Sequence, residues 1–163
     1  MRDIKDITLY MEECKKMKIK VLCPDINESF YKFAVNKKSE IRFGLGAIKG
    51  VGESAVNSIV EERKQNGVYK SFSDFVKRVD LRSCNKRTIE SLVLSGGFDS
   101  FEIDRSRYFH LEDGQSYIEK MIKFGNKIQQ DKSSTQMDIF GGAQEIELEL
   151  SLIHISEPTR QSP

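Results

Sequence analysis

Gly50-Val51-Gly52 places a sharp bend between two apolar-patterned segments. Glycine accepts positive φ and lets a second backbone come close. After the bend, Ala55, Val56, Ile59 and Val60 recur at helical spacing, which predicts a long helix starting there. Asn66-Gly67 should end it, because glycine takes the left-handed position beyond a helix. The first amides of a helix lack intrahelical acceptors and stand at the positive end of its dipole. Together with the amides of the bend they form a site for a phosphate oxygen. Val51 is expected to pack inward between two helices, and Ala55 to keep those helices close. Lys49 and Ser54 flank the site and can add a charge and a hydroxyl. Contacts of this kind grip a nucleic-acid backbone without reading bases. The spacing is not that of a dinucleotide-binding glycine loop, and no strand leads straight into it. A nucleotide-binding P-loop is excluded by the missing Gly-Lys-Ser/Thr ending.

Charge distribution agrees with a polyanionic partner. The chain has 163 residues with 26 bases and 25 acids, so its net charge says little. Residues 32–90, however, carry thirteen bases and seven acids, whereas residues 91–149 carry six and eleven. A basic middle is what a phosphate backbone attracts. Arg82, Lys86 and Arg87 stand near the start of a second helical motif and join Lys49, Gly50, Val51, Gly52 and Ser54 as candidate DNA contacts. Cys14, Cys23 and Cys84 are odd in number and unclustered, which suggests a reducing compartment and no disulfide framework. No Cys/His pairs have the short spacing of a zinc site, and no apolar run is long enough to span a membrane.

The remaining pattern predicts a mainly α-helical chain. A first helix covers about residues 6–18, with Ile7, Tyr10, Met11, Cys14 and Met17 on one stripe. Extended segments around Phe30–Val35 and Ile41–Phe43 should form a short hairpin. Further helices begin near Ser71 or Ser73 and near Asn85, the latter stopping at Gly96-Gly97. One long helix is expected over about residues 106–130, followed by a polar linker. His110 is expected at the surface, Cys84 in the core, and Arg105 in solvent.

The bend and its surroundings resemble the helix-hairpin-helix motif. Pro24-Asp25-Ile26-Asn27-Glu28-Ser29, then the segment from Ile41 to Gly52, then Phe72-Ser73-Asp74-Phe75, then Asn85 to Leu92 and Gly96-Gly97-Phe98-Asp99 follow in an order similar to the bacterial DNA polymerase III alpha-subunit family, the C-family replicative polymerases. That resemblance runs over most of residues 1–142. It implies that residues 1–35 are a remnant of the fingers domain. Residues 36–102 would be a tandem helix-hairpin-helix domain that grips duplex DNA, and residues 103–131 a connecting helix. The second hairpin, Ser95-Gly96-Gly97-Phe98, departs from the Gly-x-Gly spacing. Residues 132–149 would be a flexible linker carrying Gln136-Met137-Asp138-Ile139-Phe140, which resembles the peptide with which such polymerases bind the sliding clamp. A glutamine with a terminal aliphatic–aromatic pair suits docking into a hydrophobic pocket.

Enzymatic chemistry is expected elsewhere. A polymerase palm needs carboxylates that hold two metal ions, and no Asp-x-Asp stands on a plausible strand. Glu145, Glu147 and Glu149 lie in an irregular acidic stretch and read as solvated. The resemblance implies a nucleotidyltransferase in the full protein, with magnesium or another divalent metal, other polymerase III holoenzyme subunits as partners, and the cytoplasm as its location. The segment itself should be inactive alone, with no catalytic residue and no cofactor of its own. Met1 would be an internal methionine of that full protein. Leu150 to Arg160 reads as the in-frame translation of a transposase-type sequencing adapter, so residues 150–163, His154 included, receive no native role. The alternatives are a helix-hairpin-helix repair or recombination protein and a helical interaction domain with no nucleic-acid role.

Overall fold

The structure, a computed structural model, describes residues 4–133. Gln136–Phe140, the acidic stretch after it and residues 150–163 lie outside the described residues. Helix α1 (Ile4–Lys16) leads into a small sheet of β1 (Val21–Leu22), β2 (Ala34–Val35) and β3 (Ile41–Arg42). Strand β3 lies in the middle, antiparallel to β2 and parallel to β1. The expected hairpin is thus present, and β1 adds a third strand. Helices α2 (Glu53–Asn66), α3 (Phe72–Arg78) and α4 (Lys86–Leu94) follow. Their limits obey local capping chemistry. The Ser71 side chain accepts from the Asp74 amide, the Asn85 side chain accepts from the Thr88 amide, and the Gly67 amide closes α2 on the Arg63 carbonyl.

The single helix expected over about 106–130 is divided. Helix α5 (Arg105–Phe109) is followed by an antiparallel pair, β4 (Leu111–Glu112) and β5 (Gln115–Ser116), and then by α6 (Tyr117–Ser133). Asp113 and Gly114 both take positive φ, at 53° and 76°, which is the backbone of a two-residue hairpin turn. Asp-Gly is a strong hairpin signal, and it overrides the helical periodicity on either side.

One core joins the helices from α2 onward, whereas α1 contributes no buried side chain to it and leaves Leu9, Tyr10 and Met11 exposed. Phe72 lies at its centre, with ring centroids 5.2 Å from Phe98, 5.0 Å from Tyr108 and 5.9 Å from Tyr117. Phe75 and Phe98 are a further edge-to-face pair at 4.9 Å. The buried cluster extends from Ile26 to Phe124, beyond both ends of the 36–102 segment. On one side, α6 crosses α3 at Gly125, where a Cβ would overlap the Val76 carbonyl. Gln129 then donates to the carbonyls of Val76 and Val79 at 3.0 and 2.9 Å, satisfying the last turn of α3. On the other side, the stretch before β2 is tied down by Arg63. Its guanidinium, 8% exposed, donates to the carbonyls of Ile26 and Ser29 at 2.8 and 3.0 Å and lies 5.1 Å from the Phe30 ring centroid.

Candidate nucleic-acid interface

The Gly50–Gly52 bend forms as the sequence indicates, but with a shorter lead-in. It is preceded by a single 3-10 turn, Leu45–Ala47, where the helix-hairpin-helix pattern would place a helix. Only seven residues, 43–49, lie between the strand pair and the bend, and three of them form the helical turn. Val51 is 7% exposed and Ala55 1%, so both pack inward as expected.

The two glycines have different reasons to be there. Gly50 has φ +90°, a conformation that L side chains resist, and a Cβ there would stand 2.7 Å from Ser91 Oγ of α4. Gly52 has ordinary extended backbone, φ −84° and ψ 164°, and a Cβ there would meet nothing within 4 Å. No internal constraint requires its missing side chain.

Gly52 is the residue that precedes α2, and it has no side chain with which to cap the helix. The first rung of α2 is Val56 N–H to the Gly52 carbonyl at 3.1 Å. The amides of Glu53, Ser54 and Ala55 therefore stand ahead of the hydrogen-bond ladder, at the positive end of a fourteen-residue helix. Lys49, Gly50, Gly52, Glu53 and Ser54 are all exposed, forming an open polar mouth above buried Val51. Glu53 is the acid of that first turn and Lys49 is the base just before the bend.

Helix α4 supports the bend from beneath. The Thr88 hydroxyl donates to the Gly50 carbonyl at 3.2 Å, and Ser91 lies one turn further along the same face. Thr88 and Ser91 carry no signal in the sequence as site residues, because only the fold brings α4 against a bend some forty residues earlier.

The basic candidates divide into two groups. Lys49, Arg82 and Arg87 are exposed and form no side-chain ion pair among the described residues. Lys86 is exposed too, but its ammonium is held by Glu119 of α6, with Glu90 at 3.8 Å. The hydrogen bond to Glu119 pushes the Lys86 ammonium up from its ordinary value and holds the Glu119 carboxyl below the usual carboxylate range. Lys86 thus joins α4 to α6.

The second hairpin is organised around the chain's own groups. The Gly96 and Gly97 amides donate to the carbonyls of Val93 and Leu92, and the Gly97 carbonyl accepts from Ile26. A 3-10 turn, Asp99–Phe101, follows where the first hairpin has a long helix. Arg105 is exposed, as expected, and there it pairs with Asp99 and donates to the Leu94 carbonyl at 3.0 Å. Its hydrogen bond with Asp99 raises the guanidinium's affinity for its proton. Cys84 is buried as expected, and His110 is exposed.

The helix-hairpin-helix motif family matches residues 18–108, which includes both hairpins and the elements between them. The chain belongs to the helix-hairpin-helix family. Within it, the chain is similar to DNA polymerase III alpha subunits. It is 37% identical over 154 residues to that of Pasteurella multocida, covering 94% of this chain and 13% of the relative. To that of Chlamydia trachomatis it is 52% identical over 100 residues, covering 61% and 8%. To that of Saccharopolyspora erythraea it is 40% identical over 141 residues, covering 86% and 11%. The chain therefore spans about an eighth or less of the length of these relatives. The helix-hairpin-helix match and the polymerase relatives agree with the resemblance carried by the Pro24–Ser29, Ile41–Gly52 and Asn85–Leu92 segments.

Proposed function

We propose that this chain is a duplex-DNA-binding segment of a bacterial replicative polymerase of the DNA polymerase III alpha type. The observation that carries it is Gly52: an uncapped helix start whose missing side chain leaves open space. A phosphate oxygen placed there accepts from the amides at the start of α2, and the exposed Lys49 and Arg87 add charge. Val51 and Ala55 anchor the bend from inside. Arg82 adds a further phosphate contact, and Lys86 contributes when it leaves Glu119. Binding of this kind holds the duplex at any sequence, as a replicative enzyme needs.

In the full polymerase this grip would keep the primer–template near a catalytic centre that transfers nucleotides with a divalent metal. Among the described residues no group of three or more His, Cys, Asp or Glu could hold a metal ion. The segment alone is proposed to bind DNA without extending it. Gln136, Met137, Asp138, Ile139 and Phe140 would tether the polymerase to the sliding clamp, with Ile139 and Phe140 entering a hydrophobic pocket and Gln136 bonding at its rim. The other holoenzyme subunits and a bacterial cytoplasmic location belong to the same proposal. No helix among the described residues is long and apolar enough to cross a membrane.

The deciding experiment is Gly52→Asp. Aspartate is a favoured residue at the start of a helix, and the site has room for it. The variant should keep or slightly raise its stability, because Asp and Gly differ there by only about a few tenths of a kcal/mol. Its affinity for duplex DNA, measured by electrophoretic shift at two salt concentrations, should collapse, because the carboxylate occupies the phosphate position. Wild-type affinity in Gly52→Asp would remove the bend from the DNA contact. For the peptide, calorimetry with the clamp should show binding abolished by Phe140→Ala, and unchanged affinity would sink that role.

A further inference from the structure

We propose that Thr88 is the positioning residue of the phosphate-facing bend, holding one peptide plane so that the amides after it face outward. This rests on reading the bend as a DNA-backbone site. The peptide between Gly50 and Val51 is pinned at both poles. Its carbonyl accepts from Thr88 Oγ1 at 3.2 Å, and its N–H donates to the Ile48 carbonyl at 3.2 Å. Thr88 is itself fixed. It is 4% exposed, and its amide donates to the Asn85 side chain at 3.0 Å. A hydroxyl so placed has little freedom to follow the bend if the bend moves.

The need for such a hold follows from glycine. On the Gly50 side of this plane no Cβ opposes rotation, so the buried Val51 side chain and the two hydrogen bonds are what hold it. Turned over, the Gly50 carbonyl would leave Thr88, and the plane that leads into Gly52 and Glu53 would be reoriented. The Gly50 oxygen would then face the Ile48 carbonyl and the Val51 torsion would change, which shifts the amides of Glu53 and Ser54 and lowers DNA affinity. The Thr88 hydroxyl favours the binding orientation without touching DNA. Since Arg87 is the neighbour of Thr88 in α4, the same bond also fixes an exposed guanidinium-bearing position relative to the bend. Threonine hydroxyl and arginine charge then act on one site from a helix some forty residues later in the chain.

The test uses the whole chain and a fluorescein-labelled duplex oligonucleotide at low salt. Thr88→Val removes the hydroxyl and keeps the shape. It should weaken binding about fivefold, the equivalent of one modest hydrogen bond. Thr88→Ser keeps the hydroxyl and should bind within about twofold of wild type, as a near-intact bond requires. In Thr88→Val, amide exchange should quicken at Val51 while core amides such as those of Ile59 and Leu92 keep their protection. The assignment is overturned if Thr88→Val binds like wild type, if Thr88→Ser loses as much as Thr88→Val, or if the valine chain loses core protection. A different failure belongs to the underlying reading: wild type that does not bind, or Gly52→Asp that binds normally, removes the DNA site itself.

Discussion

Asn27 and Tyr69 are 42 residues apart and exchange two hydrogen bonds: Asn27 Nδ2 donates to the Tyr69 carbonyl at 2.9 Å, and the Tyr69 amide donates to Asn27 Oδ1 at 2.8 Å. One carboxamide thus imitates a rung of a β-ladder, joining the segment before the strands to the loop between α2 and α3. Asn27→Ala removes both bonds and leaves two main-chain groups of Tyr69 without partners. The expected loss is about 2 kcal/mol, read as a lower urea midpoint with unchanged slope.

The conformation of Gly50 and the room beside it can be separated. Gly50→Ala should cost roughly 1–2 kcal/mol for the left-handed backbone, and more for overlap with Ser91 Oγ. Ser91→Ala in the same chain should restore the second part alone. A double-mutant cycle with no coupling would show that Ser91 does not limit the bend.

At Gly125 the consequence is purely one of packing. An alanine methyl would overlap the Val76 carbonyl and press on Leu81, so Gly125→Ala should destabilise by about 1–3 kcal/mol despite alanine's better helix propensity. A stabilised variant, measured by thermal melting, would show that α6 can move away from α3 at little cost.

Cys84 offers a pH prediction. Burial, helped by Asp80, pushes its thiol up from 9.0 to about 12. The folded state holds the proton more tightly than the unfolded chain. Its contribution is complete below pH 9 or so and is lost as pH rises toward about 12. Wild-type stability should therefore fall relative to that of Cys84→Ala across this window. At neutral pH, alkylation should reach exposed Cys23 promptly and Cys84 only through unfolding. Prompt labelling of Cys84 in the native chain would contradict its burial.

Among the bases, Lys49→Ala and Arg87→Ala should each reduce the salt slope of DNA binding by about one unit and weaken binding to all sequences alike. Lys86→Ala should change the slope least, because its charge is already matched by Glu119. A slope equal in wild type and in both Lys49→Ala and Arg87→Ala would exclude those side chains from the phosphate contacts.

Much of this was readable in advance, because much of it is local. Helix α2 and its Gly67 end, the Ser71 and Asn85 caps, and buried Val51 all follow from chemistry within four residues of each position. The break between α5 and α6 was equally local, since Asp113-Gly114 is a hairpin signal, but the apolar stripe Ile118, Met121, Ile122 and Gly125 masked it. The parallel pairing of β1 with β3 depends on residues twenty apart and two residues long on each side, too little pattern to detect. The engagement of Lys86 by Glu119, of Arg105 by Asp99, and of Gly50 by Thr88 needed the fold, because charge and hydroxyl content do not disclose a partner. Gly52 was legible as a type but not as a contrast: only the geometry separates a glycine required by its torsion from one that leaves vacant room.

Gln129 reaching across to the end of α3 has a bearing on how the chain could be shortened. With Tyr117, Ile118, Met121 and Phe124, it makes α6 a lid screwed onto the aromatic centre rather than a spacer toward something downstream. A piece trimmed to the two hairpins would bare Phe72 and Phe98 to water and leave the tail of α3 with loose ends. The bend therefore shares its packed core with α6, and the buried cluster that joins them runs from Ile26 to Phe124.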